Sequence, residues 1–145
     1  MSREELTEVL IFVLEKVDGR AQVIAGTGTM ATRETIELTR DAKNTGAEAV
    51  LITTPFFYRP TEEELYRHYS AVLSAVDLPA IIYNVPKFTG YSITPKTIAR
   101  IAEKVKDCAR AGAVATGCTL EIPMFPGNRT VQEASLPAIS EDELV

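Results

Sequence analysis

Apolar residues recur along the first hundred positions in two alternating rhythms, and the alternation predicts the elements. Leu6, Val9, Leu10, Val13, Leu14 and Val17 stand three and four residues apart, the spacing of one helix face. Ser2 with Glu5 forms a capping box and Asp18-Gly19 a stop, so the first helix covers residues 3 to 17. The short run Val23-Ile24-Ala25 predicts a buried strand at about residues 22–26. Thr32 is the expected N-cap of a second helix, which carries Ile36, Leu38, Thr39 and Ala42 and stops at Asn44-Thr45-Gly46. The pattern then restarts with a strand at about 49–54. Thr61 and Glu64 form a second capping box, opening a helix with Leu65, Tyr69, Val72, Leu73 and Val76 on one stripe before Leu78-Pro79. A third strand is expected at about 80–84. Thr94 as N-cap, with Pro95 at the first helical position, opens a helix through Ile98, Ile101, Ala102 and Val105.

The order is αβαβαβα, an α/β chain whose strands should run parallel because a helix separates each pair. Strand starts near residues 22, 49 and 80 lie about 27 and 31 residues apart, close to the repeat of a (β/α) barrel. The same spacing suits an open, doubly wound sheet. Three units cannot close eight strands, so residues 1–107 are read as a partial TIM (β/α) barrel. Residues 108–145 are read as an irregular tail, interrupted by Pro123, Pro126 and Pro137, in which Ala113 to Ile122 could supply one more strand.

Composition narrows the partners. The 145 residues carry 15 Lys and Arg against 20 Asp and Glu, a net charge of -5 with no basic cluster, which points away from nucleic acid and anionic membranes. The apolar runs are too short to span a bilayer, and the amino-terminal residues read as a capped helix with no signal-peptide pattern, so a cytoplasmic location is expected. With only Cys108, Cys118 and the single histidine His68, neither a disulfide scaffold nor a metal site is supported.

Candidate chemistry gathers where strands give way to loops, which is where parallel α/β proteins keep their sites. Ile81-Ile82-Tyr83-Asn84-Val85-Pro86 is the clearest case, a buried strand ending in a phenol and an amide. A tyrosine there must either satisfy its hydroxyl within the fold or present it to a ligand. Gly26-Thr27-Gly28 could cradle a phosphate, but it lacks the full glycine fingerprint, and a strand-to-helix turn needs glycine anyway. His68 is read as a surface or interface residue rather than a base, and the two thiols as inert. Phe56, Phe57 and Tyr58 suit either a pocket mouth or a subunit contact.

Residues 2 to about 105 resemble the dihydrodipicolinate synthase / N-acetylneuraminate lyase family of class I aldolases. The likeness rests on Val23-Ile24-Ala25-Gly26-Thr27-Gly28, Thr35-Ile36-Glu37-Leu38-Thr39, Thr54-Pro55-Phe56-Phe57-Tyr58-Arg59-Pro60-Thr61, Leu65-Tyr66-Arg67-His68-Tyr69 and Tyr83-Asn84-Val85-Pro86-Lys87-Phe88-Thr89-Gly90. Family members are TIM barrels of roughly twice this length that bind pyruvate or another 2-oxo acid as a lysine Schiff base. The resemblance therefore implies lyase chemistry on a small 2-oxo acid, with no cofactor expected; a homo-oligomer is expected because an incomplete barrel leaves strand edges and an apolar sheet face to be covered.

Carried over position by position, the resemblance makes Tyr83 the catalytic proton relay, with Thr54 and Asn84 around the substrate. The second tyrosine of the synthases falls at Phe57, which has no proton to transfer. Their carboxylate-binding arginine falls at Phe88, which removes a bidentate clamp on a dicarboxylic substrate. A 2-oxo acid aldolase or dehydratase remains compatible with that change. The family's threonine-bearing loop would precede Met1. Its imine-forming lysine would fall near Ala111, and no lysine follows Lys106. Val105-Lys106-Asp107 resembles the family's strand end, which makes Lys106 the candidate nucleophile, but it also continues the stripe of Ile98, Ile101 and Ala102, which makes it a helix-end cation. The stretch from Ser135 to Leu144 is similar to the family's carboxyl-terminal end.

Overall fold

The computed structural model describes residues 1–109, with side chains through residue 104. Helix α1 (Arg3–Val17) precedes strand β1 (Ile24–Gly26), helix α2 (Thr32–Thr45), strand β2 (Ala49–Thr53), helix α3 (Glu62–Ala75), strand β3 (Ala80–Tyr83), a single turn α4 (Pro86–Thr89) and helix α5 (Pro95–Ala109). The three strands form one parallel sheet in the order β1-β2-β3. The expected αβαβαβα order thus stands, with α4 added. That turn is opened by Pro86 without a side-chain cap, so no capping signal marks it. The expected tail beyond residue 107 lies outside the described residues from position 110 onward, as does the strand weighed at Ala113 to Ile122.

Local chemistry explains most boundaries. Both expected capping boxes form: the Ser2 and Thr61 hydroxyls accept from the amides of Glu5 and Glu64, whose carboxylates return to the cap amides. Asp18 ends α1 in the left-handed region at φ 47°, and Gly46 ends α2 at φ 110°, where its amide satisfies carbonyls of the last turn. The start of α2 corrects the sequence reading. Thr32 is the first helical residue, and the N-cap is Ala31, which offers no side-chain acceptor. Thr32 is drawn away because its hydroxyl bonds His68 on α3 instead.

Register separates the two sheet faces. Val50 and Ile52 align with Ala80 and Ile82, and these four are buried beneath the helices with Leu65, Tyr69 and Ile101. The alternate residues Ile24, Gly26, Leu51, Thr53, Ile81 and Tyr83 share the opposite face, which no helix among the described residues covers. Ile52 and Ile82 therefore belong to the helix-covered face, whereas the open face carries Leu51 and Ile81 beside the half-exposed Ile24. Helix α1 packs chiefly on α2: Leu6, Leu10, Leu14 and Val17 are half-buried, while Val9 and Phe12 remain exposed, so the expected apolar stripe is only partly covered by the described residues. Arg3 pins the two helices together through ion pairs to Asp41 and Glu37.

Candidate functional site

Tyr83 closes β3 on the open face, directly across the register from Thr53 at the end of β2. Its side chain is half-buried, and its hydroxyl makes no hydrogen bond with a described residue. A phenol held at the end of a strand with its oxygen unspent is available to a ligand. The backbone around it is tied down, since the Thr54 amide donates to the Tyr83 carbonyl at 3.3 Å.

The neighbouring candidates divide sharply. The Thr54 side chain is fully buried, with no partner for Oγ1 of good hydrogen-bond geometry among the described residues, and Thr53 is the threonine in register with Tyr83. Asn84 is 4% exposed and both ends of its amide are occupied. Its Nδ2 donates to Ser92 Oγ at 2.8 Å, and its Oδ1 accepts from the Ile93 amide at 3.3 Å. Asn84 thus clamps the loop between β3 and α5. Tyr91 braces the same loop, its hydroxyl donating to the Pro55 carbonyl at 2.5 Å across the sheet edge. Nothing in the sequence marks Thr53 or Tyr91 for these places except the period of two along β2.

The two phenylalanines stand at the loop rim. Phe57 is 88% exposed, in the left-handed region at φ 72°, and its ring tilts against Phe56 with centroids 5.4 Å apart. Phe88 projects from α4, 59% exposed, with the Lys87 ammonium 6.0 Å from its ring centre. Lys106 lies inside α5, and its side chain is outside the described residues. None of the three strands carries a lysine.

Gly26-Thr27-Gly28 serves the fold. A Cβ on Gly28 would lie 2.3 Å from the Thr53 backbone nitrogen, so glycine is required for the β1–α2 loop to press against β2. The Thr27 hydroxyl bonds that of Thr39 at 3.0 Å, and the loop is spent on itself. His68 is buried rather than at the surface, and burial pushes its imidazole down to about 4. No cluster suited to a metal occurs among the described residues, and none of their helices is long and apolar enough to cross a membrane.

A parallel sheet with helices on one face, and a strand-end phenol on the other, defines a segment of a (β/α) barrel. A profile described as the dihydrodipicolinate synthetase family matches residues 1–114. A 4-hydroxy-tetrahydrodipicolinate synthase of Methylococcus capsulatus is 52% identical over 103 residues, covering 71% of this chain and 35% of that protein. Among solved structures, dihydrodipicolinate synthase from Aquifex aeolicus matches 86% of this chain and 40% of its own, with TM-score 0.74 and 35% identity. The Acinetobacter baumannii synthase, solved with pyruvate, matches 81% of this chain and 46% of its own, with TM-score 0.69 and 37% identity. The chain belongs to the dihydrodipicolinate synthase family. It spans about a third of the length of the curated relatives it matches.

Proposed function

We propose that this chain carries the proton-relay wall of a lyase site for pyruvate or a related 2-oxo acid, without the group that forms the imine. The observation that carries this reading is the Tyr83 hydroxyl on the open sheet face, in register with Thr53 and without a hydrogen bond to any described residue. Imine chemistry needs an amine that is neutral and close to the carbonyl, which a desolvated strand-end lysine provides. The described strands offer none, and Lys106, the candidate left by the resemblance, sits in a helix. Phe57 and Phe88 stand where the synthases place a tyrosine and an arginine, so the site favours a 2-oxo acid whose partner lacks a second carboxylate. Groups that act as one mechanism do not substitute for one another, so the 145-residue chain should turn over 2-oxo acids negligibly.

Borohydride trapping with pyruvate, read by mass spectrometry, tests this on the wild type and on Lys106→Ala. The expected result is no reduced adduct in either. An adduct present in the wild type and absent from the variant would make Lys106 the nucleophile and overturn the reading.

A second reading, a non-catalytic barrel segment that associates with copies of itself, is favoured by one observation. The open face presents Leu51 and Ile81, and the unpaired edge of β1 presents Ile24 at 47% exposure.

A further inference from the structure

His68 is the only histidine of the chain, and neither the fold nor the proposed chemistry uses it as a base. It sits on α3, 6% exposed, with Nδ1 2.9 Å from the Thr32 hydroxyl and with a buried Nε2 that has no partner. Thr32 opens α2, whose N-cap residue Ala31 makes no side-chain hydrogen bond. The contact with His68 therefore anchors a helix end that lacks the usual support.

Beside the anchor, separate threonine pairs tie the β1–α2 loop to α2 and to the strand ends. The Thr29 amide and hydroxyl both meet the Thr35 hydroxyl at 3.1 Å, Thr27 bonds Thr39, and the Thr27 amide donates to the Leu51 carbonyl at 3.0 Å. Gly28, between them, lies against the backbone of Thr53. We propose that Thr32 and His68 form an acid-released latch, which holds the β1–α2 loop against the strand ends beside Tyr83.

The chemistry of the ring sets the direction. Neutral imidazole shares one hydrogen bond with Thr32 and leaves the other nitrogen without a partner. Protonation makes both nitrogens donors, and a buried cation with one unpaired N–H is costly. No neighbouring charge relieves it. On α2 Arg33 pairs with Glu37, on α3 Glu64 is taken by Thr61 and Arg67 by Glu63, and on α5 Arg100 also holds Glu63. Burial is the one influence on the ring, holding it at about 4 in the closed state against 6.5 when released. The closed latch is thus fully favoured above about pH 6.5 and weakens steadily as the pH falls toward 4.

Amide exchange followed by NMR, corrected for intrinsic rates, reads the latch directly. Between pH 8 and pH 5 the protection of the Thr27, Thr29 and Thr35 amides should fall by about thirtyfold, while those of Val50 and Ile52 hold. His68→Gln should abolish that pH dependence, and Thr32→Val should raise loop opening already at pH 8. Titration of the lone histidine signal needs no variant. A folded-state midpoint near 6.5, unchanged protection at pH 5, or equal loss across β2 would each overturn the latch. None of these readouts depends on pyruvate chemistry, so the latch and the proposed function fail separately.

Discussion

At the scale of single residues, the loop between β1 and α2 shows how one motif can carry two meanings in a sequence and only one in a fold. Gly26-Thr27-Gly28 has the composition of a phosphate cradle, yet its two glycines have different reasons to be glycine. A Cβ at Gly26 would meet nothing within 4 Å, whereas at Gly28 it would collide with the Thr53 backbone at 2.3 Å. Gly28→Ala should therefore lower stability by about 1–3 kcal/mol, because main chain rather than a flexible side chain must move. Gly26→Ala should be neutral or stabilising by up to about 1 kcal/mol, through the reduced freedom of the unfolded chain. Urea midpoints of the two variants check the contrast. The place of Tyr83 at the end of β3 is legible from the apolar run before it. The hydrogen bonds of Asn84 to Ser92 and Ile93 are not legible, because they depend on a loop that folds back eight and nine residues later.

At the scale of elements, what was legible followed the strength of local signals. Both capping boxes bring their donor and acceptor within four residues, so sequence alone locates the starts of α1 and α3. The start of α2 was displaced by one residue because a tertiary contact, Thr32 to His68, outweighed a local cap. The consequence is a testable opportunity. Ala31 already holds the extended backbone of an N-cap, at φ -101° and ψ 123°, and lacks only an acceptor. Ala31→Asp should add about 0.5–1 kcal/mol of stability by satisfying an orphan amide and by placing negative charge at the helix start. Ser2→Ala, which removes a working cap, should cost about as much. Thermal midpoints above pH 6.5, where His68 is neutral, give the comparison without interference from the latch.

At the scale of the whole molecule, the decisive quantity is which face of the sheet is left uncovered. A parallel strand is apolar on both faces, so Leu51 and Ile52, or Ile81 and Ile82, cannot be told apart by alternation. Only their alignment with Thr53 and Tyr83 assigns Leu51 and Ile81 to the open side. Helices cover the other face, and among the described residues no element covers this one or pairs with the free edge of β1. Unpaired N–H and C=O groups on β1, beside an exposed Ile24, form a template for another strand. The 145-residue protein should therefore be dimeric or larger at micromolar concentration, as read by light scattering. Ile24→Lys places a charge at the edge of β1 on the open face and should shift the population toward monomer without lowering helix content, since Ile24 contributes little to the covered core. A wild type that stays a well-folded monomer, or a variant that associates as strongly as the wild type, would mean that the open face is covered from within the chain.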